Sequence, residues 1–271
     1  IIMANTRRFF AAAAAAAAAP RPAAEQVLRR DLAIAHRLIA HAGMDELIWN
    51  HISARIEGGG YLVTPGNKHF ACMTPNDLVL VGGDDEGAGT GANGGGLENI
   101  TADVIHGAIY RARPDVQAIV HLHSESGMYV SALEGGLKYY TQDAGAFYGK
   151  VAWHAFEGVA TDHEEQKRIH DDITTKTPQG HLPDVLMMRQ HGSTCCGESI
   201  GEAFVKNFYL ERVCRVQMNL DQSAGTGVEV SDELLEKMSE QFRDPTLRHG
   251  CEWSAMVEYA EAFLGCNGDG F

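Results

Sequence analysis

His121-Leu122-His123 stands at the end of the apolar run Val116–Val120. Successive side chains of a β-strand point to opposite faces, so His121 and His123 share one face and Leu122 takes the other. Two imidazoles on one face of a strand end can grip one metal ion. A second apolar run, Val185-Leu186-Met187-Met188, leads into Arg189-Gln190-His191-Gly192 and supplies a third candidate ligand in similar company. Three neutral imidazoles with an open fourth position describe a catalytic zinc site rather than a closed structural one. A lone strand-end His is ordinarily just a hydrogen-bonding residue, so the metal reading rests on the two clusters together. Zn2+, or another divalent metal, is the expected cofactor, because three imidazoles suit a borderline-soft cation.

The elements that must position these residues follow from periodicity. Val27, Leu28, Leu32, Ala35, Leu38 and Ile39 recur at helical spacing, which predicts an amphipathic helix over 23–42 ended by Gly43. Ile48–Ile56 and Tyr61–Thr64 flank Gly58-Gly59-Gly60 as a hairpin, and Leu78–Val81 reads as a third strand. Thr101–Ala112 is a helix capped by Asn99 or Thr101 and stopped before Pro114. Ala144–Val151 leads to another short strand, and Asp184–Met188 is the strand before His191. Helices are expected over Glu164–Thr175, Glu198–Leu220, Asp232–Phe242 and Glu252–Leu264. Gly82–Gly96 lacks the order of a phosphate-binding P-loop and reads as a surface loop. Helices interleaved with short strands predict one layered α/β domain. It spans 25–271, after an N-terminal low-complexity extension at 1–24.

Composition narrows the partners. The formal net charge is -14, and basic residues cluster no further than Arg7-Arg8 and Arg29-Arg30, so nucleic acid is not an expected partner. No apolar run reaches the length of a membrane-spanning helix, and no membrane partner is expected. The six cysteines form no C-x-x-C and read as reduced thiols, which predicts a cytoplasmic location. Thr6-Arg7-Arg8-Phe9-Phe10 and the Ala11–Ala19 run precede the first acidic residue, Glu25, which also fits an organellar leader and a mitochondrial alternative.

The motif order adds a family. Asn50-His51-Ile52-Ser53-Ala54-Arg55, Leu62-Val63-Thr64-Pro65-Gly66, Ala112-Arg113-Pro114-Asp115, His121-Leu122-His123, Arg189-Gln190-His191-Gly192 and Glu202-Ala203-Phe204 follow one another along 25–265. This series resembles the class II aldolase/adducin family. The resemblance implies a three-layer α/β/α domain with a central mixed sheet, usually a homotetramer with sites between neighbouring subunits. It implies zinc on His121, His123 and His191, and the chemistry of sugar-phosphate aldolases or a pentulose-phosphate 4-epimerase. The adducins carry the same domain without known chemistry. The chain departs from the aldolases where they place a ligating and catalytic Glu, since Ala102 stands there. His51 replaces their Asn, Thr64-Pro65-Gly66-Asn67 replaces Thr-Pro-x-Gly, and Thr141 falls near their catalytic Tyr. Asn-His-Ile-Ser and Phe147-Tyr148-Gly149 bring it closer to the adducin-like branch.

Zinc with an open position stabilises the enediolate formed when a C–C bond breaks or an α-proton leaves, and either reaction needs a general base nearby. Glu125 shares parity with His121 and His123 if the strand continues, and Asp143 precedes the next strand. These two are the candidate catalytic residues. Asp103, Glu98 and Glu157 are further carboxylates that read first as surface groups. His106, one helical turn beyond Ala102, reads first as a packed helix histidine. The expected function is a metal-dependent carbon–carbon lyase or retro-aldol epimerase acting on a small hydroxy-carbonyl compound, with a sugar phosphate among the candidates. The alternative is an adducin-like non-catalytic binding or scaffold module.

Overall fold

Strands buried on both faces must put an apolar side chain on each, and the central strands here do so. The computed structural model describes residues 22–82, 99–223, 225–244, 250–268 and 271; the Gly82–Gly96 loop, beyond its first residue, and nearly all of the 1–24 extension lie outside these. The strands are β1 (His51–Arg55), β2 (Tyr61–Val63), β3 (Val79–Val81), β4 (Ala118–Leu122), β5 (Val151–His154), β6 (Val185–Met188) and β7 (Gly192–Gly197). They form one mixed seven-stranded sheet in the order β3-β2-β1-β4-β7-β6-β5, parallel between β5 and β6 and antiparallel elsewhere.

Period-two alternation divides the core between the faces. Ala118, Val120 and Leu122 of β4 pack on one side with helices α1 (Ala23–His41), α6 (Ile200–Gln222) and α8 (Gly250–Phe263). Ile119 of β4, with Leu186 and Met188 of β6, packs on the other. Its cover is α2 (Ile100–Ala102), a π-helical turn (Asp103–Gly107), α3 (Ala108–Ala112) and α5 (Glu165–Thr174). The result is the expected three-layer α/β/α arrangement. Two further helices, α4 (Glu125–Ala132) and α7 (Asp232–Gln241), complete the set among the described residues. The apolar helix α8 packs on its own chain, with Trp253 against Phe204 at 5.5 Å between ring centroids. No helix among the described residues is long and apolar enough to cross a membrane.

Two elements escape the sequence pattern. β7 reads Gly-Ser-Thr-Cys-Cys-Gly, small and fully buried, with no alternation to betray it. A Cβ on Gly192 would stand 2.3 Å from the Leu122 carbonyl oxygen, so only glycine lets β7 meet β4 at that point. α4 begins where β4 was expected to continue, because Ser124 caps it by accepting a hydrogen bond from the Gly127 amide. Ser124 and Ser126 both hydrogen-bond the carboxylate of buried Glu211 on α6, which fixes the turn behind His123.

Candidate metal centre

β4 ends at the centre of the sheet and presents His121; His123 follows one residue past the strand. β6 and β7 form a tight hairpin whose connection is Arg189-Gln190-His191, with Gln190 in the left-handed region at φ 51°. The turn swings His191 back over the end of β4. The ring centroids of His121, His123 and His191 lie 4.6–4.9 Å apart, and one nitrogen of each lies within 4.8 Å of the others.

The partners on the far side of each ring decide which nitrogen faces the centre. His123 Nδ1 lies 2.8 Å from Glu46 Oε2, and a carboxylate only accepts, so Nδ1 carries the hydrogen and Nε2 the lone pair. His121 Nδ1 lies 2.9 Å from Thr194 Oγ1, whose hydroxyl faces Met188 Sδ at 3.7 Å. His121 Nε2 meets the bare His123 Nε2 within hydrogen-bond distance, so without metal the His121 hydrogen sits on Nε2 and Thr194 donates to Nδ1; metal binding would move that hydrogen to Nδ1, where Thr194 can accept it instead. The two Nε2 atoms stand 3.0 Å apart. Nitrogens bound tetrahedrally at zinc distances stand roughly 3.3 Å apart, so His121 and His123 already stand near ligand spacing. Burial pushes His121 well below the ordinary histidine range, helped by its neighbours His51, His123 and His191. Burial, then His123, brings His191 down to about 4. Both are neutral at pH 7, the form that binds metal. The buried Asn50 fixes the backbone here, its Oδ1 accepting from the His123 amide at 2.7 Å.

The pocket around the imidazoles is lined by Glu46, Trp49, His51, Thr101, Phe156 and Val159, among others. Its walls are apolar, and Trp49, Phe156 and Val159 are exposed at the rim. Among the described residues no Lys or Arg lines it. Behind it runs a buried polar chain. His51 Nδ1 lies 2.8 Å from His106 Nε2, His106 Nδ1 lies 2.6 Å from Ser53 Oγ, and Ser53 Oγ lies 2.8 Å from the Tyr110 hydroxyl. Burial lowers His51 well below its ordinary value, with His106 the next cause, and lowers His106 to about 3. The π-helical turn expected as regular helix is where His106 sits.

The structure brings His121, His123 and His191 together and leaves the two expected carboxylates elsewhere. Glu125 does not share the parity of His121, because β4 stops at Leu122 and Glu125 is the exposed first residue of α4. Asp143 lies in a 3-10 turn and pairs with Arg212 at 3.2 Å. Neither lines the pocket. Asp103 accepts from the Tyr61 hydroxyl, Glu157 pairs with Arg168, and Glu98 lies outside the described residues. Ala102 is fully buried in the core, while its neighbour Thr101 lines the pocket. Sequence reasoning missed Glu46, which lies in the connection before β1 where no periodicity marks it. It took His106 for packing, and only its polarity on a buried helix face pointed further.

A sequence model of the class II aldolase and adducin N-terminal domain matches residues 30–218. A Pseudomonas aeruginosa protein named for the class 2 aldolases is 35% identical over 205 residues, 75% of this chain and 74% of that one. Rat alpha-adducin is 34% identical over 203 residues, 74% of this chain but only 26% of the adducin. Among solved structures, an aldolase II superfamily protein from Pseudomonas syringae is 30% identical with a TM-score of 0.75, over 90% of this chain and 96% of that one. L-fuculose 1-phosphate aldolase from Glaciozyma antarctica is 26% identical with a TM-score of 0.73, over 91% and 95%.

Proposed function

The chain belongs to the class II aldolase and adducin family, and from that premise we propose that it is a metal-dependent carbon–carbon lyase or retro-aldol epimerase acting on a small hydroxy-carbonyl compound. One observation carries the reading: His121 and His123 turn their Nε2 atoms toward one point, 3.0 Å apart, with His191 beside them. A scaffold has no use for imidazoles aligned in this way. A divalent ion held there supplies Lewis acidity toward the carbonyl and hydroxyl oxygens of a substrate. His121, His123 and His191 hold it, and Glu46 orients His123 through Nδ1. Trp49, Phe156 and Val159 exclude water from the reacting face. Among the described lining residues of one chain there is no Lys or Arg to receive a phosphate, so any phosphate would have to be met by the metal or by a neighbouring subunit.

The test is a turnover screen of ketoses, aldonates and their phosphate esters, with zinc-loaded protein and His123→Ala as control. Turnover lost in the variant supports the lyase or epimerase. A second reading, the adducin-like scaffold, has Ala102 in its favour, since that helix carries no base. Equal background in both proteins supports it. A homotetramer is part of the proposal, with exposed Leu47, Trp49, Phe156 and Val159 as the apolar area a neighbouring subunit covers. Light scattering at micromolar concentration checks it, and a monomer with metal bound rules it out.

A further inference from the structure

β1 sets His51 opposite His121 in the antiparallel register, and the two rings stack with centroids 4.6 Å apart. His51 is buried and lines the metal pocket, yet its Nε2 has no hydrogen-bond partner among the described residues. What that atom offers depends on which nitrogen of His51 holds the single hydrogen of a neutral imidazole.

The chain of four buried groups decides it. Tyr110 ends the chain, and its hydroxyl has one hydrogen-bond partner among the described residues, Ser53 Oγ. The phenol hydrogen is buried, and an unpaired buried donor is costly, so it goes to Ser53. Ser53 then donates to His106 Nδ1, and His106 donates from Nε2 to His51 Nδ1. His51 Nδ1 is left as an acceptor, and the hydrogen of His51 sits on Nε2. The reverse order would strand the Tyr110 hydrogen in the dry core, beside the Tyr61 ring. The forward order moves the one unpaired hydrogen to the pocket, where a ligand oxygen can accept it. His51 is thus the opposite of His123. Glu46 accepts at Nδ1 of His123 and leaves a lone pair facing the centre, whereas His106 donates at Nδ1 of His51 and leaves an N–H.

We infer that His51 enters the pocket as an Nε2–H donor, held in that tautomer by the Tyr110–Ser53–His106 relay, and that it binds an oxygen of the substrate rather than the metal. The substrate half of this statement rests on the lyase or epimerase reading above; the tautomer does not. In the reaction His51 stabilises negative charge that develops on that oxygen. It is neither a fourth ligand nor the base that Ala102 fails to supply.

Long-range 1H–15N correlation spectra of the full chain, histidine-labelled and metal-free at neutral pH, read the tautomers directly. The expected result is hydrogen on Nε2 of His51 and on Nδ1 of His123. Hydrogen on Nδ1 of His51 overturns the proposal. A second arm measures zinc affinity of His51→Phe by competition with a chelator. The expected change is smaller than the roughly 10-fold that loss of a group orienting a ligand costs; a larger loss makes His51 a ligand and overturns the assignment. In the turnover screen His51→Phe is expected to lower kcat by about 100-fold, and His51→Asn, whose amide also donates, to recover part of it. Equal rates for both variants sink the substrate half, as does a wild type without turnover. The spectra decide the tautomer in every case.

Discussion

The two ends of β4 handle buried polar groups in opposite ways. At the C-terminal end, the protein partners of His121 and His123 sit on their outer nitrogens, and the inner ones meet only each other across the open centre. At the N-terminal end lies a second cavity, lined by Arg113, Asp115, Asp184, Glu202 and Lys206 among others. There Arg113 binds Asp115 at 2.6 Å and the Pro183 carbonyl at 2.7 Å. Lys206 binds Asp184 at 3.2 Å, Glu202 at 3.0 Å and the Cys196 carbonyl at 3.0 Å. The second cavity has more charge, and the first has more chemistry. Arg113 and Lys206 direct their charge to partners within the fold, while a binding site needs donors whose inner atoms stay open.

The sharpest way to break this contrast is at His123. His123→Ala removes one of the three candidate ligands, and we expect zinc affinity to fall by at least about 1,000-fold, or roughly 4 kcal/mol. Metal analysis of tag-free protein after zinc reconstitution checks it. Wild-type protein retaining less than roughly a tenth of an ion per chain would remove the metal centre from the comparison altogether.

Acid should separate the two ends next. His36 and His106 are fully buried, and burial lowers them to about 4 and about 3. Unfolded histidine titrates near 6.5, so below that pH the unfolded chain binds more protons than the folded one. Their stability contribution is complete above about pH 6.5 and is lost as pH falls toward 4, at about 1.4 kcal/mol per pH unit for each group. The ion pair at the other end behaves differently. Arg113 holds Asp115 below the usual carboxylate range, so that contribution persists until the carboxylate itself protonates at still lower pH. Urea melts of metal-free protein between pH 7 and pH 4 measure this. A flat profile across that window would contradict the assigned burial of the two histidines.

Lys206→Met tests the other end alone. It leaves Asp184 and Glu202 without their shared cation, while both retain some contact with solvent. We expect a loss of about 2 kcal/mol in stability, below that of a fully buried pair, and unchanged zinc affinity. Weakened zinc binding would show the two ends to be coupled.

The contrast also explains what the sequence could and could not reveal. β4 and β6 announce themselves as apolar runs leading to histidines, so the convergence of His121, His123 and His191 was legible in the sequence. α1, α6 and the β1–β2 hairpin were legible for the same reason, since their apolar positions recur at helical or alternating spacing. Glu125 misled because parity assumes a continuing strand, and the Ser124 cap, with its partner Glu211 far along the chain, ends that strand. β7 stayed hidden because its residues are chosen for close approach to β4 and not for apolar area. Glu46 and His106 stayed hidden because their partners, His123 and His51, come from distant segments. Periodicity reports which face a residue takes, but not what it meets there.

Glu46→Gln is the finest test of the contrast. The carboxylate accepts from His123 Nδ1 and so keeps the lone pair on Nε2. A carboxamide can still accept through its oxygen, but it lacks the charge that raises the basicity of the ring. It can also present its NH2 to Nδ1 and favour the wrong tautomer. Loss of such an orienting partner ordinarily costs 10- to 100-fold in metal affinity, or about 1.4–2.7 kcal/mol. The Glu46 side chain is 43% exposed, so water screens its charge, and the expected effect is near the lower limit, about 10-fold. Chelator competition with the wild type and the variant measures it, and Glu46→Ala should fall at least as far. Equal affinity in all three proteins would mean that His123 is aligned by Asn50 and the backbone alone. The C-terminal end of β4 would then owe its open nitrogens to the strand geometry and not to the partner set behind them.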